Sequence, residues 1–174
     1  MVILITGASH TGKTLLAQRM LEKYKYPSFS LDHLKMGLIR SGNTALSPLE
    51  DEALMDYLWP IVREIIKTAI ENRQNLIVEG CYVPFDWRKD FAEDYLADIR
   101  FICLAMTGDF IERHFRDIVG KSSVIESRQD DSACSVASLK EDNRQCCAGF
   151  LEAGEQVSLI DKSFEQVIES LLNC

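Results

Sequence analysis

The sequence predicts an α/β domain built on a parallel sheet, and three observations carry that prediction. Short apolar runs recur along the chain: "VILI" at 2–5, "LIVE" at 76–79, "IRFICLAM" at 99–106 and "VSLI" at 157–160, with "PSFSLD" at 27–32 a weaker fifth. Between them lie segments with helical apolar spacing, the order expected of strands joined by crossover helices. At 174 residues and 47% hydrophobic composition, the chain is predicted to form one three-layer domain with a substantial core.

The elements follow in order. After "VILI" comes "GASHTGKT" (7–14), then "KTLLAQRMLEKY", a helix in which Leu15, Leu16, Met20 and Leu21 are available to face the sheet. The weak second strand is expected to end at Asp32. "SPLE" (47–50) reads as a helix start, with Ser47 as N-cap, Pro48 in the first helical position and Glu50 completing a capping box. A stripe from Leu54 through Leu58, Val62 and Ile66 to Ile70 continues it, and Pro60 predicts a kink or two helices end to end. Phe164, Val167, Ile168, Leu171 and Leu172 mark a terminal helix packed on the sheet. Residues 120–137, polar and without a sustained stripe, read as a loop or lid.

Residues 7–14 satisfy G-x-x-x-x-G-K-[ST] in full, with a strand before and a helix after. A match of this kind arises by chance in a chain of this length on the order of once in a hundred. The cradle is expected to run from Gly7 through Ala8, Ser9, His10, Thr11, Gly12, Lys13 and Thr14 to Leu15. Glycines let successive N–H groups point inward, and the helix begun at Lys13 directs its positive end to the same place. The ligands so predicted are ATP and Mg²⁺, with Lys13 bridging the β- and γ-phosphates and the Thr14 hydroxyl on the metal.

Two acids stand at predicted strand ends beside this loop, Asp32 and Glu79, the latter followed by Gly80. Carboxylates at the carboxyl edge of an open sheet suit Mg²⁺, its waters or a general base. The ordinary alternatives are a helix cap for Asp32 and an exposed strand end for Glu79. Transition-state charge calls for cations beyond Lys13, and "TGDFIERHFRDI" (107–118) supplies Arg113 and Arg116 on roughly one face; surface pairing with Asp109, Glu112 or Asp117 is the alternative. Phe85 and Trp87 could stack on an acceptor ring or pack against the helices of 48–72. His33 and His114 read as surface or satisfied residues.

Composition excludes several classes. A net charge of −8 leaves no basic face for a duplex, so no nucleic-acid partner is expected. No apolar run approaches a membrane span, and Met1 leads directly into a strand, so the expected location is cytoplasmic. The six cysteines show no C-x-x-C spacing and read as reduced thiols rather than a zinc site.

On these residues the chain resembles the nucleoside monophosphate kinase-like branch of P-loop proteins, which includes adenylate kinases, shikimate kinase, chloramphenicol phosphotransferase and the zeta-toxin kinases. "DHLKMGLIRSG" (32–42) is similar to the adenylate kinase segment that binds the acceptor nucleotide, with Lys35 where arginine is usual and Arg40 near its end. "LIVEGCYVP" (76–84) is similar to that family's L-x-D-G-F-P-R, with Glu79 for Asp, Pro84 one residue late and Arg88 four positions further on. "SRQDD" (127–131) is similar to the lid motif R-x-D-D, which implies a place for Arg128 near the transferred phosphate. The resemblance implies strand order 2-3-1-4-5, an acceptor-binding helical insertion at about 32–74 and a lid at about 119–140.

Two acceptor classes follow. A nucleoside monophosphate is already an anion and needs cations, among which Lys35, Arg40 and Arg88 are candidates; a hydroxyl must lose a proton, and Asp32 then matches the base of the hydroxyl-phosphorylating relatives by position. The expected activity is transfer of the ATP γ-phosphoryl group to a small-molecule acceptor, by a monomer or weak homo-oligomer. The alternative is a nucleotide-binding ATPase or switch with no such acceptor.

Overall fold

The structure, a computed structural model, describes residues 1–121 and 134–173. Its five strands form one all-parallel sheet in the order β2-β3-β1-β4-β5, as the resemblance implies. The chain runs β1 (Val2–Gly7), α1 (Lys13–Tyr24), β2 (Ser28–Ser30), α2 (Leu31–Arg40), α3 (Asp51–Glu71) and β3 (Leu76–Glu79). A 3-10 turn at Trp87–Asp90 then leads to α4 (Glu93–Leu96), β4 (Ile99–Met106), α5 (Gly108–Lys121), α6 (Val136–Glu152), β5 (Val157–Ile160) and α7 (Phe164–Asn173).

Alternation along β1 divides the core into two faces. Val2 and Leu4 join Leu54, Leu58, Val62 and Ile66 of α3 together with Val78 and Cys103, whereas Ile3 and Ile5 join Leu16, Ala17 and Met20 of α1 and Ile168 of α7. Every residue of β1 is buried, which is why it reads as an unbroken apolar run. A smaller cluster of Met106, Phe110, Ile111, Leu139 and Ile160 holds α5 and α6 over the carboxyl ends of β4 and β5.

Three local expectations change. α3 begins at Asp51, and Glu50 in the cap position makes no side-chain cap bond. "SPLE" instead closes a turn of its own: the Ser47 amide donates to Glu50 Oε2 at 2.6 Å and the Glu50 amide to Ser47 O at 3.1 Å. With both partners used inside the turn, the box is spent before the helix starts. Of the two outcomes expected at Pro60, the two-helix one falls: Pro60 lies on the exposed side of one uninterrupted helix of 21 residues, where the buried stripe of Leu54, Leu58, Trp59, Val62 and Ile66 holds the two halves together. β2 ends at Ser30, so Asp32 lies in the first turn of α2 rather than on a strand.

Candidate functional site

Register brings the carboxyl ends of the central strands level. Glu79 stands opposite Ile5 on one side and Ser30 on the other, while Gly7 stands opposite Leu104. The 7–14 loop rises from this edge. Gly7 has φ 138°, and a Cβ there would lie 2.0 Å from Leu104 O, so no other residue fits without moving β4. Gly12 is left-handed at the start of α1, and a Cβ there would lie 2.5 Å from the Phe164 ring of α7.

The loop is fastened from within. The Thr11 hydroxyl donates to Ala8 O at 2.8 Å, the Lys13 ammonium donates to the same oxygen at 2.7 Å, and the Ala8 amide donates to Leu104 O at 3.2 Å. His10 adopts φ 62°, with its Nδ1 2.9 Å from Ser9 Oγ. Lys13 is buried in the first turn of α1.

Thr14 Oγ1 donates to Glu79 Oε2 at 3.3 Å, joining the loop to the buried end of β3. Two hard oxygen donors at this separation fit adjacent vertices of a magnesium octahedron, whose metal–oxygen distance near 2.1 Å sets neighbouring oxygens about 3 Å apart. Among the described residues, no group of three or more His, Cys, Asp and Glu side chains forms a metal site. A divalent ion here would therefore take most of its ligands from phosphate and water.

Beside the loop, a polar cluster is assembled from three segments. Lys35 of α2 pairs with Asp32 at 2.9 Å and donates to the Tyr82 hydroxyl at 2.8 Å, and that hydroxyl donates to Asp51 Oδ1 of α3 at 3.0 Å. Burial pushes the Tyr82 phenol up, with the Asp51 and Asp32 carboxylates adding to the shift. Burial pushes the Cys81 thiol up, with the Lys13 charge opposing and the Asp32 and Asp142 carboxylates adding to the shift.

Of the remaining predicted cations, Arg88 and Arg113 are engaged elsewhere. Arg88 forms a two-pronged pair with Glu155, whose side chain is only 4% exposed, with Nη2 to Oε2 at 3.0 Å. Arg113 donates to Asp109 O at 3.0 Å and to Asp161 O at 3.3 Å, tying α5 to the end of β5. Arg116 and Arg40 are exposed on α5 and at the end of α2, and Arg144 pairs with Glu141 one turn back. Arg128 lies outside the described residues, as does the middle of the 119–140 segment; α5 and α6 occupy its two ends. Trp87 is fully buried, stacked on Phe101 at 5.1 Å and edge-on to Phe91, so it belongs to the core.

Sequence reasoning missed Asp51, Tyr82, Asp142 and Phe164, each of which meets the site across a long stretch of chain. It also missed two neighbouring thiols: Cys146 of α6, beside Cys103 of β4, together with burial pushes Cys103 up. No motif announces such partners, because spacing reports only on neighbours within one element. A shallow groove lined by Lys25, Tyr26, Pro27 and residues 74–76 lies at the opposite, amino edge of the sheet and has no part in this arrangement.

No family model and no curated protein matches the chain in sequence. Solved structures do match in fold. A shikimate kinase from Bacteroides thetaiotaomicron superposes with TM-score 0.58 at 14% identity, covering 99% of this chain and 97% of its own. A deoxyadenosine kinase from M. mycoides, with dCMP and a flexible dCDP bound, gives TM-score 0.58 at 14% identity and the same coverages. A gluconokinase from Sinorhizobium meliloti gives 0.53 at 13%, covering 99% of this chain and 89% of its own. The chain therefore has the P-loop kinase fold over nearly its whole length.

Proposed function

We propose that the protein is an ATP-dependent phosphotransferase that phosphorylates a hydroxyl group of a small molecule. The observation that carries the choice between acceptor classes is the Arg88–Glu155 pair. Arg88 is the first arginine after the stretch similar to L-x-D-G-F-P-R, and it neutralises a buried carboxylate. Lys35 is likewise engaged by Asp32 and the Tyr82 hydroxyl. A second phosphate held by Arg88 or Lys35 would have to break that residue's pair, whereas a neutral hydroxyl need not.

In this reading the 7–14 loop binds the polyphosphate through its amides and Lys13, while Thr14 and Glu79 hold Mg²⁺, which supplies charge neutralisation at the phosphates. Asp32 accepts the acceptor's hydroxyl proton, with Lys35 fixing its orientation, a step of the kind that contributes about 10²–10⁴-fold. The kinase neighbours in the fold comparison, with their sugar, shikimate and nucleoside names, support phosphoryl transfer to a small molecule.

The test is acceptor-dependent ADP release against panels of polyols, sugars, hydroxy acids and nucleoside monophosphates, preselected by thermal shift with a non-hydrolysable ATP analogue. The expected result is turnover with a hydroxyl compound that falls about 10²–10⁴-fold in Asp32→Asn. ADP release that is indifferent to every acceptor would leave the ATPase reading in its place.

A further inference from the structure

Helix α6 delivers a carboxylate into the mouth of the phosphate loop. The Ser9 amide donates to Asp142 Oδ2 at 2.9 Å across 133 residues of chain. We propose that Asp142 is a built-in competitor for the loop: an internal anion that occupies one of the amides a polyphosphate would use and so sets the affinity for nucleotide. The inference rests on the phosphate-loop reading of residues 7–14.

The helix is held so that the contact persists. Asn143, the next residue, is buried; its side-chain oxygen accepts the Met106 amide at 2.7 Å at the carboxyl edge of β4, and its amide donates to Leu139 O at 2.8 Å. Ser135 and Ser138 cap the helix start reciprocally, and Phe150 anchors its far end in the core. Asp142 itself is exposed, so its side chain can rotate away without moving α6.

The chemistry decides the sign. An N–H donating to a carboxylate makes a charge-assisted bond, and the loop cannot offer that amide to a second anion at the same time. A triphosphate arriving beside Asp142 also meets a like charge. Nucleotide therefore binds the fraction of molecules in which Asp142 has swung out, and the apparent affinity is lowered by that fraction. An arginine or a neutral residue on this turn would have the opposite or no effect, so the acid is a choice of this chain that the loop motif does not require.

Calorimetric titration of the full chain with ATP, in magnesium and again in EDTA, tests this. Asp142→Asn and Asp142→Ser are each expected to bind ATP about fivefold more tightly than the unmodified chain in both conditions, as removal of an exposed charged contact implies. Inorganic tripolyphosphate should show the same gain, since the adenine plays no part. Equal or weaker binding by both variants overturns the proposal, and weakening confined to the magnesium arm would assign Asp142 to the metal instead. Absence of ATP binding by the unmodified chain would sink the phosphate-loop reading itself, an outcome separable from the others.

Discussion

The two halves of the site are built in different ways. The 7–14 loop is eight consecutive residues shaped largely by backbone: two glycines at positive φ, the Thr11 hydroxyl and the buried Lys13 ammonium fastened to Ala8 O, and the Ala8 amide fastened to Leu104 O. The cluster around Lys35 has no such local unit. Asp32, Asp51 and Tyr82 are contributed by two helices and a loop and meet only through side chains around Lys35. A backbone site tolerates little change at its glycines and is indifferent to most other side chains, while a side-chain site can be retuned one residue at a time. Diverse kinases that share this fold at 13–14% identity fit that division.

The sharpest way to break the comparison is Gly7→Ala. The added methyl would sit 2.0 Å from Leu104 O on a backbone at φ 138°, so either β1 and β4 separate or the loop unwinds. Loss of measurable ATP binding is expected, with destabilisation near the top of the ~1–3 kcal/mol range for strained backbone. A variant that keeps its ATP affinity would show that side chains, not the backbone, define this half too.

Arg88→Ala separates structure from recognition on the acceptor side. It leaves Glu155 buried and unpaired, and because Arg88 is itself half exposed the expected loss of stability is about 1–3 kcal/mol, read by denaturant unfolding. Arg88→Ala combined with Glu155→Gln should recover much of it, since the second change removes the stranded charge. If Arg88 instead held the acceptor, KM would rise with stability unchanged and the second substitution would restore nothing.

The same contrast explains what could be read from the sequence. Strand runs at 76–79, 99–106 and 157–160 match β3, β4 and β5; the central β3 and β4 advertise themselves by composition because most of their residues are buried, while the edge strand β5 keeps its apolar run although Leu159 is exposed. The loop was legible because its function is local. Tyr82 was not, since a tyrosine after a strand is unremarkable until Asp51, 31 residues earlier, meets its hydroxyl. Asp32 was found by type and misplaced by element: a three-residue strand carries too little periodicity to show where it stops. "SPLE" misled because a capping box and a self-closed turn share one pattern.

Tyr82→Phe gives a smaller effect and a test by pH. Removing the hydroxyl leaves Lys35 and Asp51 without their shared partner, and an expected stability loss of about 1 kcal/mol follows. The phenol is held above its ordinary value near 10, first by burial and then by Asp51 and Asp32. A raised value means that its contribution is complete below about pH 10 and is lost as pH rises beyond it, because only the unfolded chain can then ionise it. The phenylalanine variant should therefore lose less stability than the unmodified chain between pH 10 and 11. Identical slopes would mean that Tyr82 ionises freely in the folded protein.

The smallest expected effect lies one residue from the competitor on α6. Glu141 accepts from Arg144 Nε at 2.9 Å and Nη2 at 2.6 Å and from Gln145 at 2.6 Å, and these donors, Arg144 first, hold its carboxyl down to about 2. A lowered value means that its contribution is present above the ordinary glutamate value of 4.5 and disappears as pH falls from there toward about 2. The pair is fully exposed, so solvent screens it and Glu141→Gln should leave the melting temperature unchanged at pH 7. Nor should ATP affinity change, because its partners lie along α6 and none belongs to the loop. Adjacent acids on one helix are thus predicted to differ in kind: Asp142 acts on the Ser9 amide, while Glu141 acts only on its own turn. If Glu141→Gln tightened ATP binding as much as Asp142→Asn, the effect would belong to the net charge of α6 rather than to one hydrogen bond, and the competitor would be the helix face as a whole.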